Sequence, residues 1–168
     1  MTKVEQGKMI KIVKEWLPCV IVLVIVILFR TFIATLVRVD GVSMYPTLEG
    51  KEIMLLYKLG SVERYDMVVT DKSVDSLIKR VYGLPGETIE CKDGVIYINN
   101  EAIEDKYGSG ETYDFEAVKL KDDEYFVLGD NRMYSRDSRS VGPINKKHLK
   151  GTTNFIVFPF KKFGTVEK

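Results

Sequence analysis

The longest apolar segment of the chain covers residues 16–37, and only Pro18, Arg30 and two threonines interrupt it. Its 22 residues match the roughly 20 that a helix needs to cross the hydrocarbon core of a bilayer. Arg30 lies in the outer third of the segment, from which its long side chain reaches the lipid headgroups. The pattern therefore predicts one transmembrane helix over residues 16–37.

Positive charge is concentrated before this segment, where Lys3, Lys8, Lys11 and Lys14 stand against two glutamates. This excess places residues 1–15 in the cytoplasm and residues 38–168 outside it. A cleavable signal peptide is the alternative, because the uninterrupted run 16–29 has the length of a signal-peptide hydrophobic region. The apolar residues that continue after position 30, without a clear small-x-small cleavage sequence directly behind them, favour an uncleaved anchor.

Short runs of β-branched and aromatic residues, separated by turn residues, follow the apolar segment, and amphipathic helix patterns are scarce. The predicted strands are residues 37–40, 52–57, 66–71, 76–82, 88–92, 95–99, 124–128 and 153–158. The fold class is therefore mainly β, with an antiparallel sheet, and the length after the anchor leaves room for one compact domain.

One connection between predicted strands has a strong turn signal. Asp93-Gly94 separates residues 88–92 from 95–98, and both central positions of a two-residue hairpin turn favour such residues because φ is positive there. Residues 101–123 are acidic, contain Gly108-Ser109-Gly110 and are interpreted as a mobile excursion. The domain is thus expected to carry a small excursion around residues 93–123.

Composition excludes several function classes. The formal net charge of +1 and the lack of a basic stripe with interleaved aromatics give no support to nucleic-acid binding. Cys19 and Cys91 stand on different sides of the predicted span boundary, so no disulfide is expected. Because His148 is the only histidine and no cysteine pair has ligand spacing, no metal or other cofactor is predicted. His148 itself stands among polar residues, which is typical of a surface histidine.

One lysine interrupts the apolar neighbours of the strand predicted over 76–82. Lys79 shares a face with Leu77 and Val81, because successive strand residues point to opposite faces. Burial disfavours the charged amine and lowers its pKa from about 10.4 towards neutrality, where it acts as a general base. The alternative, an edge-strand lysine that points to solvent, fits the strand pattern equally well.

Four segments, in this order, resemble the motifs of the type I signal peptidases in their compact, single-anchor Gram-positive form. They are VDGVSMYPTL (39–48), RYDMVV (64–69), KRVYGLPGE (79–87), and LGDNR with SRDSR (128–132 and 135–139). The resemblance covers nearly the whole chain. It implies a signal-peptidase-like β fold with one N-terminal transmembrane helix.

The resemblance also implies a membrane-anchored serine endopeptidase that removes signal peptides from secreted preproteins, cutting after small residues. In that family pattern Ser43 is the nucleophile and Lys79 the general base. Ser135 matches a serine that hydrogen-bonds the lysine amine, and Asp137 and Arg139 match a pair that supports the site. Gly41 stands where some members carry a hydroxyl residue that helps to hold the oxyanion. Many Gram-positive relatives resemble this chain in having glycine there.

Membrane lipid is a further expected partner, because residues 155–160, the two lysines that follow and Met44 are suited to a lipid interface. For residues 155–158 a core strand is the favoured alternative. The export machinery and surface-pilus proteins are the other candidate partners. Two alternatives to the peptidase are weighed. A self-cleaving repressor of the same serine-lysine type would carry a DNA-binding helix pair where this chain has its apolar segment. A non-catalytic relative that assembles surface proteins such as pilins would have no need of Ser43, Lys79 and Ser135, which argues for catalysis. A narrowly dedicated peptidase would keep these residues, so they do not distinguish it from a general one.

Overall fold

The computed structural model describes residues 3–71 and 77–166, and for residues 3–13 it describes the helical backbone alone. Helix α1 (Lys3–Phe32) opens the chain. Its part Lys14–Phe32 is long and apolar enough to cross a membrane, and its side chains are not covered by the rest of the protein. This helix agrees with the predicted membrane anchor in place and character.

The end of α1 differs from the sequence prediction. The Nζ of Lys58 donates hydrogen bonds to the carbonyl oxygens of Arg30 and Thr31, at 3.0 and 2.9 Å, and so pairs carbonyls that the helix leaves without an internal donor. The chain continues at once into strand β1 (Ala34–Arg38). Residues 34–37, which the apolar pattern assigned to the span, instead lie in this strand, because the β-branched side chains of Thr35 and Val37 favour strand conformation.

The further strands follow in chain order. They are β2 (Ile53–Tyr57), β3 (Met67–Thr70), β4 (Ile78–Gly83), β5 (Thr88–Lys92), β6 (Val95–Ile98), β7 (Glu101–Ala102), β8 (Phe115–Lys119), β9 (Glu124–Leu128), β10 (Ile144–Asn145), β11 (Leu149–Phe158) and β12 (Gly164–Thr165). A short helix, α2 (Ser138–Val141), lies between β9 and β10. All strand pairs within the described residues are antiparallel, which confirms the predicted fold class.

The larger of the two sheets has the strand order β1-β2-β11-β3-β4-β9-β10, with β12 added to β11. Strand β4 therefore lies well inside the sheet, between β3 and β9. The strands predicted over 88–92 and 124–128 have the observed bounds of β5 and β9. Strand β11 begins at Leu149, four residues before its predicted start, while Ser76 lies outside the described residues.

The smaller sheet has the order β7-β6-β5-β8 and contains most of the predicted excursion. Its hairpin pairs Lys92 with Val95 across Asp93 (φ 51°) and Gly94 (φ 74°), so the predicted two-residue turn is confirmed. Residues 101–123, interpreted as a mobile excursion from the sheet, include strand β8, which pairs with β5 in this second sheet. Phe115 of β8 stacks on Phe126 with ring centroids 5.1 Å apart, which packs β8 against the larger sheet.

A buried apolar cluster lies beneath the segment that joins β1 to β2. Met44 and Leu48 of this segment are 2% and 0% exposed and belong to the cluster. The other buried members come from the flanking chain and from β2, β3, β4 and β11: Val39, Met54, Leu56, Met67, Val69, Ile78 and Ile156. The packing fixes the backbone around position 43 against the sheet, although no helix or strand includes it.

Candidate active site

Ser43 lies in a compact turn on top of this cluster. The Tyr45 N–H donates to the Val42 carbonyl at 3.1 Å and the Leu48 N–H donates to the Met44 carbonyl at 2.8 Å. The serine is half-buried, so its hydroxyl remains accessible from outside. Apolar anchors on both sides of the serine thus hold an accessible hydroxyl in a fixed place.

Lys79 comes from β4, in the interior of the larger sheet, and is 1% exposed. The alternative of an edge lysine that points to solvent is therefore wrong. Its Nζ lies 2.6 Å from Ser43 Oγ and also donates to the Ile78 carbonyl at 3.0 Å. Two residues 36 positions apart in the chain are brought within hydrogen-bonding distance.

Burial lowers the pKa of the Lys79 amine from 10.5 to about 8. The carboxylates of Asp137 and Asp130 act in the opposite direction and raise this pKa, but their effect is smaller. A substantial fraction of the amine is therefore neutral near pH 8, as a general base requires.

Asp137 and Arg139 form a buried ion pair beside the lysine. The Asp137 side chain is fully buried and accepts from Arg139 Nε and Nη2 at 2.9 and 2.8 Å, and from the Gly129 N–H at 2.9 Å. Burial raises the pKa of Asp137, but these donors more than offset it, so the pKa falls below its usual value. Arg139 also donates to the Arg132 carbonyl at 2.8 Å. The pair therefore holds the backbone of the last motif.

The Ser135 hydroxyl is buried and lies close to the nucleophile segment. A Cβ added to Gly129 would lie 2.1 Å from Ser135 Oγ and 2.5 Å from the Ser43 carbonyl oxygen, so only glycine fits between the two serines. Among the described residues no group meets hydrogen-bond geometry with Ser135 Oγ. The hydroxyl nevertheless lies close enough to Asp137 to contribute to the lowering of that residue's pKa. The structure thus places Ser135 close to Ser43 without a hydrogen bond to Lys79.

A second buried ion pair, Arg80–Asp130, was not predicted as part of the site. Both side chains are fully buried, and Arg80 Nε and Nη2 donate to the two carboxylate oxygens at 2.8 and 2.7 Å. Thr47 Oγ1 donates to the same carboxylate at 2.6 Å, and so ties the nucleophile turn to β4. The signal was present in the sequence: Arg80 shares a strand face with the apolar Ile78 and Tyr82, and a buried guanidinium needs a buried acid.

The smaller sheet contributes one more anchor. Asp105 accepts hydrogen bonds from Arg132 Nη2 at 2.7 Å and from the Tyr82 hydroxyl at 2.5 Å. The Ser109 N–H donates to the Asp130 carbonyl at 2.7 Å. The segment between β7 and β8 is therefore bound to the motif that carries Asp130, which the expectation of a mobile excursion did not foresee.

A cleft of about 510 Å³ opens beside the Ser43–Lys79 pair. Its walls come from the end of β1 and the chain after it, from the start of β4 and from β3. The lining residues are Val37, Arg38, Val39, Asp40, Gly41, Ser43, Met44, Val69, Leu77, Ile78, Lys79 and Lys150. Apolar side chains make up half of this lining and polar or charged ones most of the rest, so the cleft offers both apolar contacts and polar groups to an extended peptide.

Two residues of the nucleophile segment that line this cleft have backbone N–H groups without a protein acceptor among the described residues. Gly41, with φ +90°, lines it together with Ser43. In the part of the chain that the structure describes, neither the Gly41 N–H nor the Ser43 N–H donates to a protein acceptor. These N–H groups are available to a negatively charged oxygen.

No group of three or more histidine, cysteine or acidic side chains at metal-binding distance occurs within residues 3–71 and 77–166. His148, which the sequence placed at the surface, lies 3.3 Å from Asp71 and does not line the cleft. Cys19 and Cys91 are both free thiols.

The chain is similar to known proteins along nearly all of its length. Residues 13–158 match the family described as signal peptidase, peptidase S26. Signal peptidase I S of Bacillus subtilis (strain 168) is 36% identical over 170 residues, which cover 90% of this chain and 92% of that protein. Signal peptidase I of Bacillus licheniformis is 37% identical over 167 residues, which cover 88% and 90%. A crystal structure of a signal peptidase I from Enterococcus faecalis V583 matches with a TM-score of 0.50 and 30% identity, over 56% of this chain and 97% of that one.

Proposed function

Since the chain belongs to the type I signal peptidase family, and is therefore a serine endopeptidase that removes signal peptides from preproteins, we propose that Ser43 is its nucleophile and Lys79 its general base. The observation that carries this proposal is the 2.6 Å separation of Lys79 Nζ and Ser43 Oγ, with the amine buried and its pKa lowered to about 8. A non-catalytic assembly factor is not favoured, because it would need neither a buried amine nor its contact with a hydroxyl.

The proposed reaction is acyl transfer through an ester. Neutral Lys79 takes the Ser43 proton while Oγ attacks the scissile carbonyl, and the ammonium then gives this proton to the leaving amine. A water molecule, deprotonated by the same amine, then attacks the ester carbonyl, and the Lys79 ammonium returns this proton to Ser43 Oγ as the C–O bond breaks and the carboxyl product leaves. The free N–H groups at positions 43 and 41 are the proposed donors to the oxyanion, in place of a side-chain hydroxyl.

Three further residues are proposed to support this pair. Ser135, whose buried hydroxyl near Ser43 has no hydrogen-bond partner among the described residues, is proposed to orient the Lys79 amine once the site is occupied. Asp137 and Arg139 are proposed to hold this serine's segment through the Gly129 N–H and the Arg132 carbonyl. In this role they touch neither substrate nor reacting atoms.

The test of the proposed function is cleavage of a preprotein whose signal ends in Ala-x-Ala by the purified, detergent-solubilised chain. We expect a single cut after the second alanine, because the cleft admits small apolar side chains. The same preprotein with leucine in place of that alanine is the control and should resist cleavage. Absence of a cut, or equal cleavage of both preproteins, would contradict the proposal; mass spectrometry of the two products decides.

The proposed arrangement in the membrane has residues 1–15 in the cytoplasm and the β domain outside. The anchor is placed over Lys14–Phe32, and the lysines before it support this orientation. We expect protease added to intact cells to digest the β domain but to spare an epitope tag fused before Met1, which becomes sensitive only after lysis. A tag that is digested in intact cells would reverse the orientation. A tag that is absent from the full-length chain would instead favour a cleaved signal peptide.

Membrane lipid is a proposed partner of the surface formed by Phe158, Phe160, Lys161 and Phe163. The three aromatic side chains are 47%, 79% and 60% exposed. Phe158 and Arg38 both pair with Ile53, so this surface lies at the end of the sheet from which the nucleophile segment begins. Such a mixture of aromatic and basic side chains suits a lipid interface. Contact with the export machinery, and surface-pilus proteins among the substrates, are likewise proposals that an extracytoplasmic site makes possible.

A further inference from the structure

Glu52, the residue before β2, carries a carboxylate that is almost completely buried, and the residue is 1% exposed. The carboxylate accepts three backbone hydrogen bonds, from the N–H groups of Glu49, Gly50 and Lys51, at 2.9, 2.9 and 3.0 Å. Lys162 Nζ donates to it at 2.9 Å. One side chain thus fixes a complete turn of the backbone.

The charge on Glu52 is strongly favoured in the folded protein. Burial by itself raises the pKa of a carboxyl group. The hydrogen bond from Lys162 and the backbone donors outweigh this effect and lower the pKa of Glu52 to about 2. The carboxylate is therefore ionised throughout the pH range in which Lys79 titrates.

The turn that Glu52 fixes is packed against the nucleophile segment. A Cβ added to Gly50 (φ +88°) would lie 2.3 Å from the Gly41 carbonyl oxygen and 3.1 Å from its carbon, so the two backbones are in direct contact. The Glu52 carbonyl also accepts from the Val39 N–H at 2.8 Å. Glu52 therefore constrains the chain on both sides of position 40. Its side chain holds Gly50, which contacts Gly41, and its own carbonyl accepts the Val39 N–H.

Gly41 has little else to hold it in place. It lines the cleft two residues before Ser43, and its φ of +90° lies in a region that glycine enters freely. Within the residues that the structure describes, its N–H and C=O make no hydrogen bond. Contact with Gly50 is therefore the direct constraint on Gly41 itself. The next residue, Val42, is held through its carbonyl oxygen by the Tyr45 N–H and Asn131 Nδ2.

We infer that Glu52 is a positioning residue for the reaction: through the Gly50–Gly41 contact it aims the backbone N–H groups of the nucleophile segment at the developing oxyanion. This inference rests on the proposed roles of Ser43 and Lys79. Glu52 touches neither substrate nor the reacting atoms. A misplacement of about 1 Å in such a site costs as much as roughly 10²-fold in rate.

The experiment compares Glu52→Gln with wild type in the Ala-x-Ala cleavage assay. Glutamine keeps the size of the side chain but turns an NH₂ group towards N–H donors, so the turn loses part of its anchor. We expect kcat to fall about 10- to 100-fold with KM within about twofold, because the lost interactions act in the transition state. Glu52→Asp, which keeps the charge on a shorter side chain, should recover part of the loss.

Glu49→Gln is the matched control. Glu49 also contacts Lys162, at 3.0 Å, but it is exposed and its carboxylate accepts none of the three backbone hydrogen bonds. The change in charge beside Lys162 is the same, so wild-type kcat and KM are expected. Equal losses of kcat in both glutamine variants would overturn the inference, since the cause would then be the lost negative charge beside Lys162 and not the lost anchor of the turn.

Gly50→Ala keeps the test decisive if Glu52→Gln folds poorly. The added methyl group must displace Gly41 while Glu52 remains intact, so a comparable fall in kcat is expected. If both changes act through the same contact, kcat of the double variant should be no lower than that of the less active single variant. Wild-type kcat per folded molecule in either single variant, or a rise in KM alone, would overturn the inference. Ser43→Ala in the same assay separates the two levels: if it stays active, the proposed function itself fails.

Discussion

Ser43→Ala is expected to abolish signal-peptide cleavage, with kcat reduced by about 10⁴-fold or more. Without Oγ no ester can form, and the remaining N–H groups can at most polarise the scissile carbonyl for direct attack by water. The measurement is the rate of preprotein cleavage under single-turnover conditions, where product release does not mask the chemical step.

The variant should fold as wild type does. The Ser43 side chain contacts Lys79 Nζ but contributes little to packing, whereas Met44 and Leu48 anchor the turn. Ser61→Ala, at an exposed position away from the cleft, is the matched control and should cleave at the wild-type rate. Substantial cleavage by a folded Ser43→Ala chain would show that another group attacks the carbonyl.

Local patterns were sufficient to predict the elements that depend on local preferences. Alternation and β-branched residues located β5 and β9, and the Asp93-Gly94 turn fixed the hairpin register. The end of α1 was not predictable in the same way, because the Lys58 side chain that binds its last carbonyls lies 27 and 28 positions further along the chain. Apolar character alone does not distinguish the last turn of a membrane helix from a strand that follows it.

In the candidate site, too, local patterns predicted some features, and others depended on the folded sheet. The motif order pointed to Ser43 and Lys79, but the strand pattern left open whether the lysine was buried or at an edge. That choice depends on β3 and β9 lying on either side of β4, which is a property of the sheet as a whole. The strand pattern indicated a buried Arg80 but not that its partner is Asp130, 50 positions away. Glu52 escaped prediction because its role depends on the approach of Gly50 to Gly41, which exists only after folding.

Lys79→Met is expected to lower kcat by roughly 10⁴-fold and to remove the pH dependence that the amine imposes. Methionine has a similar length and no basic group, so it keeps the packing of β4 but cannot take the Ser43 proton. For wild type, kcat/KM should rise about tenfold per pH unit below pH 8 and level off above it, because only the neutral amine acts as a base and its pKa is about 8. An unchanged profile in the variant would assign that titration to another group.

Stability should change in the opposite direction from activity. The native state holds the Lys79 amine at a pKa of about 8, against 10.5 for an unburied lysine, so at neutral pH folding buries a charge that the unfolded chain keeps in water. Between pH 8 and 10.5 the unfolded state binds more protons than the native state, so this penalty is complete below pH 8 and disappears as the pH rises to 10.5. Its full size, roughly 3 kcal/mol, follows from a shift of this extent.

Lys79→Met should therefore raise the free energy of unfolding of the detergent-solubilised chain at pH 7, and the gain over wild type should shrink as the pH rises from 8 to 10.5. Thermal or denaturant unfolding at several pH values measures it, with the Ser61→Ala chain as the reference. A variant that is less stable than wild type at pH 7 would show that the Lys79 amine contributes more through its hydrogen bonds than burial takes away. A more stable but inactive variant would mean that the fold gives up stability at β4 to keep a neutral base beside Ser43.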